Sequence, residues 1–131
     1  MKNSKIGMIK MIKNTVVEVK VQLGNMNVGD SFNKIITDQL ESCGVAGSEL
    51  TEQFESVNCL GCGPKGEFFI NFITSGDDTK KSKQIVEQFM EELIRDLKDP
   101  NLMDHWSIVL EGEEIPSVKK FEIVCTSPFQ F

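Results

Sequence analysis

Residues 15–23 read Thr-Val-Val-Glu-Val-Lys-Val-Gln-Leu, and the alternation along this stretch decides the fold. Every second residue from Thr15 onward is apolar or β-branched, whereas Glu18, Lys20 and Gln22 stand between them. This period of two predicts a half-buried β-strand, with one face against a core and the other toward solvent. The segment therefore belongs to a sheet that is covered on one face.

Strand patterns recur further along the chain. Glu67–Thr74 is apolar on both faces, which predicts a central strand. Val118–Thr126 alternates again and is expected at a sheet edge, where it could accept an extended segment by strand addition. Alternate apolar residues at 106–110 predict another strand. Residues 54–59 predict a further one, although Ser48 could instead cap a short helix in this region.

Two stretches carry the apolar spacing of three and four residues that is typical of helices. The first follows the cap candidates Asp30 and Ser31, and the second follows the chain break at 76–79 and ends before Pro100. Each has an apolar stripe that would lie on the sheet. The first stripe is Phe32, Ile35, Ile36, Leu40 and Cys43, and the second is Ile85, Val86, Phe89, Leu93 and Leu97.

These elements predict an α+β fold in which two helices pack on one face of a mostly antiparallel five-stranded sheet. The order along the chain is β-α-β-β-α-β-β, and the first four strands match a split βαβ core. A single domain would span residues 14–131, preceded by a basic and apolar N-terminal arm at residues 1–13.

The composition is that of one globular domain, since the 131 residues are 40% hydrophobic and 26% charged. The net charge of −6 disfavours tight binding to a phosphate backbone, so no nucleic-acid partner is expected. No apolar run approaches the roughly 20 residues of a membrane span, so no membrane association is expected. Without a signal peptide or an N-x-S/T acceptor, the chain is expected in the cytoplasm, with its cysteines as thiols.

Basic and apolar residues are concentrated at the two ends of the sequence. Residues 1–13 contain four lysines, no acid and six large apolar side chains, so the rest of the chain carries a net charge of −10. Residues 127–131 contain two phenylalanines. Because apolar side chains gain free energy on burial, both segments are predicted to fold back or to enter a partner. The candidate partner-binding residues are Ile6, Ile9, Ile12, Phe129 and Phe131.

Cys59 and Cys62 have the C-x-x-C spacing of a zinc knuckle, in an expected hairpin loop at residues 59–66. A structural zinc site needs four ligands, so Cys43 and Cys125 would have to complete it through the tertiary fold. A redox pair would need a helix after the motif, and here a strand is expected. We prefer the interpretation that the cysteines are small buried apolar residues, in which case no cofactor is expected.

Three lysines lie in the first two turns of the expected second helix, where the helix dipole favours anions. A phosphate or carboxylate could bind there. Asp77 and Asp78 precede these lysines and can compensate their charge, so we prefer the interpretation of a solvated helix cap. The candidate anion-binding residues are Lys80, Lys81 and Lys83.

The chain offers few residues for acid–base chemistry, because it has one histidine, His105, and no tyrosine. We therefore expect a non-enzymatic, acidic interaction protein, acting as an inhibitor, adaptor or assembly subunit, that self-associates or binds a protein partner. Two alternatives stay open: a small zinc- or thiol-dependent protein that uses Cys59 and Cys62, or an anion-binding module at the lysine-rich helix start. Mimicry of nucleic acid would require the acidic residues of 111–114 to lie beside those of 52–55.

Overall fold

The computed structural model describes residues 15–25, 27–42, 50, 52–62, 66–75 and 78–126. This part of the chain contains both helices and strands. The elements are β1 (Thr15–Leu23), α1 (Gly29–Ser42), β2 (Ser56–Cys62), β3 (Glu67–Thr74), α2 (Thr79–Leu97), a 3-10 turn (Pro100–Leu102), α3 (Met103–Val109) and β4 (Val118–Thr126).

The four strands form one sheet in the order β2-β3-β1-β4, with antiparallel neighbours throughout. Val19 of β1 is opposite Ile70 of β3 on one side and Ile123 of β4 on the other. β1 and β2 run in the same direction with β3 between them, which is the split βαβ topology of ferredoxin-like domains. The predicted α+β class is confirmed, but the described residues form four strands and three α-helices where five strands and two helices were predicted.

The core lies between the helices and one face of the sheet. Phe32 of α1 meets Phe68 of β3 edge to face, with ring centroids 5.0 Å apart. Phe89 of α2 meets Phe72 of the same strand in the same manner, with centroids 6.1 Å apart. Because residues 68 and 72 point to the same side of β3, α1 and α2 cover the same face. The predicted one-sided cover of the sheet is confirmed.

The predicted bounds of β1, β3 and β4 are confirmed, and β3 is a central strand as expected. The predicted cap of the long helix is also confirmed, since Asp78 accepts a hydrogen bond from the backbone N–H of Lys81 at 3.0 Å. The whole inner stripe of α2 is buried. In α1, the described members of the predicted stripe are buried or half-buried: Phe32, Ile35, Ile36 and Leu40.

The predicted strand at Trp106, Ile108 and Leu110 is wrong, because these residues belong to α3 and the turn after it. Asp99 caps a helical turn that begins at Pro100, so the chain is already helical before it reaches α3. Trp106 and Leu110 are buried, whereas Ile108 between them is 77% exposed. The apolar spacing is therefore four residues, as in a helix, and not two.

The second strand begins and ends later than predicted. Phe54 N donates to Leu50 O at 2.9 Å, so a helical turn comes before the strand, as the alternative interpretation expected. The strand then continues to Cys62, with a bulge between Cys59 and Cys62. The hairpin loop is thus shorter than the predicted 59–66. The bulge accommodates the extra residue between Cys59 and Cys62, so pairing with β3 continues to Cys62.

We predict that Leu110→Ala lowers the free energy of unfolding by about 2–5 kcal/mol, because it leaves a cavity at a fully buried position. Ile108→Ala, a matched control that is 77% exposed, should change it by less than about 0.5 kcal/mol. Chemical denaturation followed by circular dichroism measures both values. Equal losses for the two variants would contradict the helical assignment, since a strand would place both residues on one face.

Candidate functional site

The two segments that carry the candidate partner-binding residues are attached at the same end of the sheet. Val16 of β1 is opposite Thr126 of β4, and neighbouring strands lie about 4.8 Å apart. Residues 1–13 therefore precede β1 next to the point where residues 127–131 follow β4. We call this the Thr15 end of the sheet and the opposite one the Leu23 end. Ile6, Ile9, Ile12, Phe129 and Phe131 lie outside the described residues.

The second face of the sheet, which we call the open face, carries the side chains that alternate with the core. Lys20 Nζ lies 3.0 Å from Glu67 Oε2 on this face. The hydrogen bond to Glu67, its negative charge and the charge of Glu122 raise the pKa of Lys20 above its ordinary value. Phe69 is half-buried and Val124 is 52% exposed among these charges. Apolar area bordered by paired charges is typical of a protein-interaction surface.

β4 is an edge strand of the described sheet, as predicted from its alternation. The register between β4 and β1 shifts near Leu23. Lys120 is opposite Gln22 and Val118 is opposite Leu23, so Lys119 is an extra residue between the two pairs. A bulge and exposed lysines are features that protect edge strands from pairing with other chains. Strand addition on β4 stays a prediction, and the geometry favours contacts through side chains over contacts through the β4 backbone.

The structure separates two of the four candidate zinc ligands. Cys59 lies on β2 and Cys125 on β4, at opposite edges of the described sheet. Three strand spacings amount to about 14 Å, so one zinc ion with its roughly 2.3 Å bonds to sulfur cannot bind both residues. Cys43 and the side chain of Cys62 lie outside the described residues. A zinc site that uses Cys59 and Cys62 stays a prediction.

The environment of the two described thiols disfavours their charged form. Burial raises the pKa of the Cys59 thiol. Burial also raises the pKa of the Cys125 thiol, and the positive charge of Lys83 offsets part of that rise. Cys125 Sγ donates a weak hydrogen bond to Thr79 O at 3.6 Å. Both thiols are thus kept protonated at neutral pH, whereas nucleophilic chemistry and metal binding require thiolates.

The three candidate anion-binding lysines are exposed on the first two turns of α2. Asp78 already accepts from the backbone N–H of Lys81, so one of the free N–H groups of the helix start is bonded within the chain. The positive charge of Lys83 acts on the pKa of Cys125, so Lys83 lies on the side of α2 that is nearer to β4. Within the described residues, no further groups converge on Lys80, Lys81 and Lys83 to form an anion-binding site. Anion binding there stays a prediction.

A polar network that sequence reasoning missed joins the three helices. His105 Nε2 of α3 lies 2.8 Å from Asp38 Oδ2 of α1. Trp106 Nε1 donates to Asp96 O of α2 at 2.9 Å, and Gln39 Nε2 of α1 donates to Asp96 Oδ2 at 2.7 Å. His105 therefore pairs with a carboxylate 67 residues away and not with its sequence neighbour. These contacts hold the helices together, which is a structural role.

An apolar groove of about 240 Å³ opens at the Leu23 end of the sheet, where Val118 is opposite Leu23. The last turns of α2, the start of α3 and the segment before β4 line it. Asn25 fixes this last segment, since its Nδ2 donates to Ile115 O at 3.0 Å and its Oδ1 accepts from Ser117 N at 3.0 Å. The apolar lining includes Ile94, Leu97, Met103, Ile115, Pro116 and Val118.

The acidic residues considered for nucleic-acid mimicry lie at opposite ends of the sheet. Glu114 Oε2 accepts from Asn25 Nδ2 at 2.8 Å, beside the Leu23 end. Glu55 N donates to Ile73 O at 2.8 Å, at the Thr15 end. The length of β1 between them is about 23 Å, so these acids form no contiguous patch.

No protein-family model matches this sequence, and no curated protein or solved structure resembles it closely enough to count as a match. Within the described ranges, no group of three or more His, Cys, Asp and Glu side chains is arranged to hold a metal ion. None of the helices in those ranges is both long and apolar enough to cross a membrane.

We predict that Cys59 and Cys125 react with iodoacetamide more slowly than a free cysteine peptide at neutral pH. Their raised pKa values lower the thiolate fraction, and only the thiolate is nucleophilic. The rates should rise through a higher pH range than that of the free peptide, and they should match it once the protein is denatured. Peptide mass spectrometry after timed alkylation measures each site. Faster alkylation of either thiol in the native protein would contradict this account.

Proposed function

We propose that this chain is a non-enzymatic, acidic interaction protein that works as an inhibitor, adaptor or assembly subunit through protein–protein contacts. The observation that carries the proposal is the pairing of Val16 with Thr126. It attaches residues 1–13 and residues 127–131 to neighbouring strands, so both segments can contribute to one contact surface. We call this the paired-end surface, formed by Ile6, Ile9, Ile12, Phe129 and Phe131.

The open face supports this proposal through the position of its apolar residues. Ile73 is opposite Val16 at the Thr15 end, and Val124 is opposite Glu18 one step further along the face. Ile73 and Val16 are half-buried, and Val124 is 52% exposed. Lys20, Glu122 and Lys120 lie further toward the Leu23 end of the face, whereas Glu18 is the charged residue beside Val124. The strand ends from which the two segments continue therefore adjoin the apolar end of the open face, which can extend the same contact.

Charge supports a protein partner with an acidic surface. Residues 1–13 carry four positive charges and no acid, whereas the rest of the chain has a net charge of −10. Unlike charges on separate molecules attract at long range, and salt weakens this attraction. Apolar side chains add a short-range contribution that is insensitive to salt. A second copy of this chain meets both requirements, and so does another acidic protein.

The two described thiols fit an interaction role better than a catalytic one, because burial keeps them protonated. The zinc- or thiol-dependent alternative would use Cys59 and Cys62, while Cys43 lies outside the described residues. We propose a cytoplasmic location, in which all four cysteines remain reduced.

We predict that deletion of residues 1–13 abolishes self-association or partner binding and leaves the far-ultraviolet circular dichroism spectrum of the domain unchanged. Phe129→Ala combined with Phe131→Ala should have the same effect, because each segment contributes to one surface. Two further variants of residues 1–13 distinguish the contribution of charge to binding from the contribution of apolar burial. Replacing Ile6, Ile9 and Ile12 by Ser should weaken binding at every salt concentration, whereas replacing the four arm lysines by Gln should remove the salt dependence.

Native mass spectrometry and light scattering on the purified chain measure these outcomes. A chain whose mass, stability and binding are identical with and without both segments would contradict the proposal. The same native mass reports on the alternative, since a zinc adduct that disappears in Cys59→Ser/Cys62→Ser would favour a metal-dependent protein.

A further inference from the structure

We propose that the apolar groove at the Leu23 end binds the phenylalanine segment, residues 127–131, of a second copy of this chain. The inference rests on the proposed function and names the partner: each copy would present its own Phe129 and Phe131 to the groove of the next copy. Such a contact joins two different surfaces, the segment that follows β4 in one copy and the groove at the Leu23 end of another.

The groove has the size and chemistry that an aromatic side chain requires. A cavity of about 150 Å³ lined by aliphatic and aromatic residues is enough to hold benzene, and this groove measures about 240 Å³. Lys98 and Ser117 are the polar residues of its lining, and the other lining residues are apolar. One phenyl ring therefore fits, with room for part of the adjoining backbone.

The groove is also formed before any partner binds. Asn25 makes three hydrogen bonds to the segment 114–117, at 2.8, 3.0 and 3.0 Å, and Gly24 N donates to Ser117 O at 2.8 Å. The opposite wall is the C-terminal part of α2, where Leu97 is part of the buried core. Because both walls are fixed, little conformational entropy is lost when the groove is occupied.

The phenylalanines cannot reach the groove of their own chain. Thr126 is opposite Val16, and Val118 at the groove is opposite Leu23, so about 23 Å of strand separates the two positions. A chain that runs back along β4 must first reverse its direction, which takes about four residues. Residues 127–131 leave one residue for the return path, and one residue spans at most about 3.6 Å. Phenylalanine side chains of residues 127–131 that occupy the groove must therefore come from another molecule.

The test uses two variants of the full chain, each of which alters one of the two proposed contact surfaces. Phe129→Ala/Phe131→Ala removes the inserted side chains, and Met103→Glu places a charge in the wall of the groove. Ile108→Glu is the matched control, because it adds the same charge to the same helix at a position that is 77% exposed and outside the groove. Thermal unfolding by circular dichroism confirms that each variant is folded.

We expect the wild-type chain and Ile108→Glu to show a mass that rises with concentration in light scattering. The phenylalanine variant and the groove variant should each remain at the 14.7 kDa of one chain. Mixed in equal amounts, they should form a complex of twice that mass, since one supplies an intact groove and the other an intact phenylalanine segment.

Three results would overturn the inference: a monomeric wild type at all concentrations, an unaffected Met103→Glu variant, or a mixture in which no two-chain complex forms. If the phenylalanine variant loses association or partner binding while the groove variant keeps it, the groove is not the docking site and the proposed interaction role still stands. If neither segment matters for any binding, the proposed function fails as well.

Discussion

β1 is hydrogen-bonded on both sides, to β3 and to β4, and its inward side chains are wholly withdrawn from solvent. This double pairing is the constraint on which the other elements depend. A shift of one residue would turn Val17, Val19 and Val21 out of the core, so the register fixes which face receives the helices. The same register sets Val16 beside Thr126, and it thereby determines where both ends of the domain are attached.

The fold separates the two described thiols and pairs the histidine with a carboxylate of another helix. The described thiols lie on opposite edge strands and are kept protonated by burial. The histidine is engaged by Asp38, while Asp96 bonds to both of the other helices, so these groups stabilise the helical layer. The described surfaces with apolar area include the groove at the Leu23 end and the part of the open face around Val124, nearer the Thr15 end.

Sequence reasoning succeeded where one segment carries its own periodicity. β1 and β4 were predicted to their observed ends because alternation over nine residues is unambiguous, and β3 because it is a short apolar run between Gly66 and Gly76. At residues 106–110, three apolar residues at alternate positions gave a strand-like pattern. Asp99 followed by Pro100 was nevertheless a sequence signal for the start of a helix. The contact of His105 with Asp38 and the groove could not be predicted, since their residues come from separate segments that meet only in the folded chain.

The central claim is that contacts with other molecules are made by the two segments attached at the Thr15 end, while the sheet built on β1 serves as their rigid support. Hydrogen exchange of the full chain, read out by mass spectrometry at low and high protein concentration, tests it most directly. The account predicts that β1 amides exchange slowest at both concentrations, and that protection of residues 1–13 and 127–131 rises with concentration. Exchange of both segments at free-peptide rates under both conditions would contradict it.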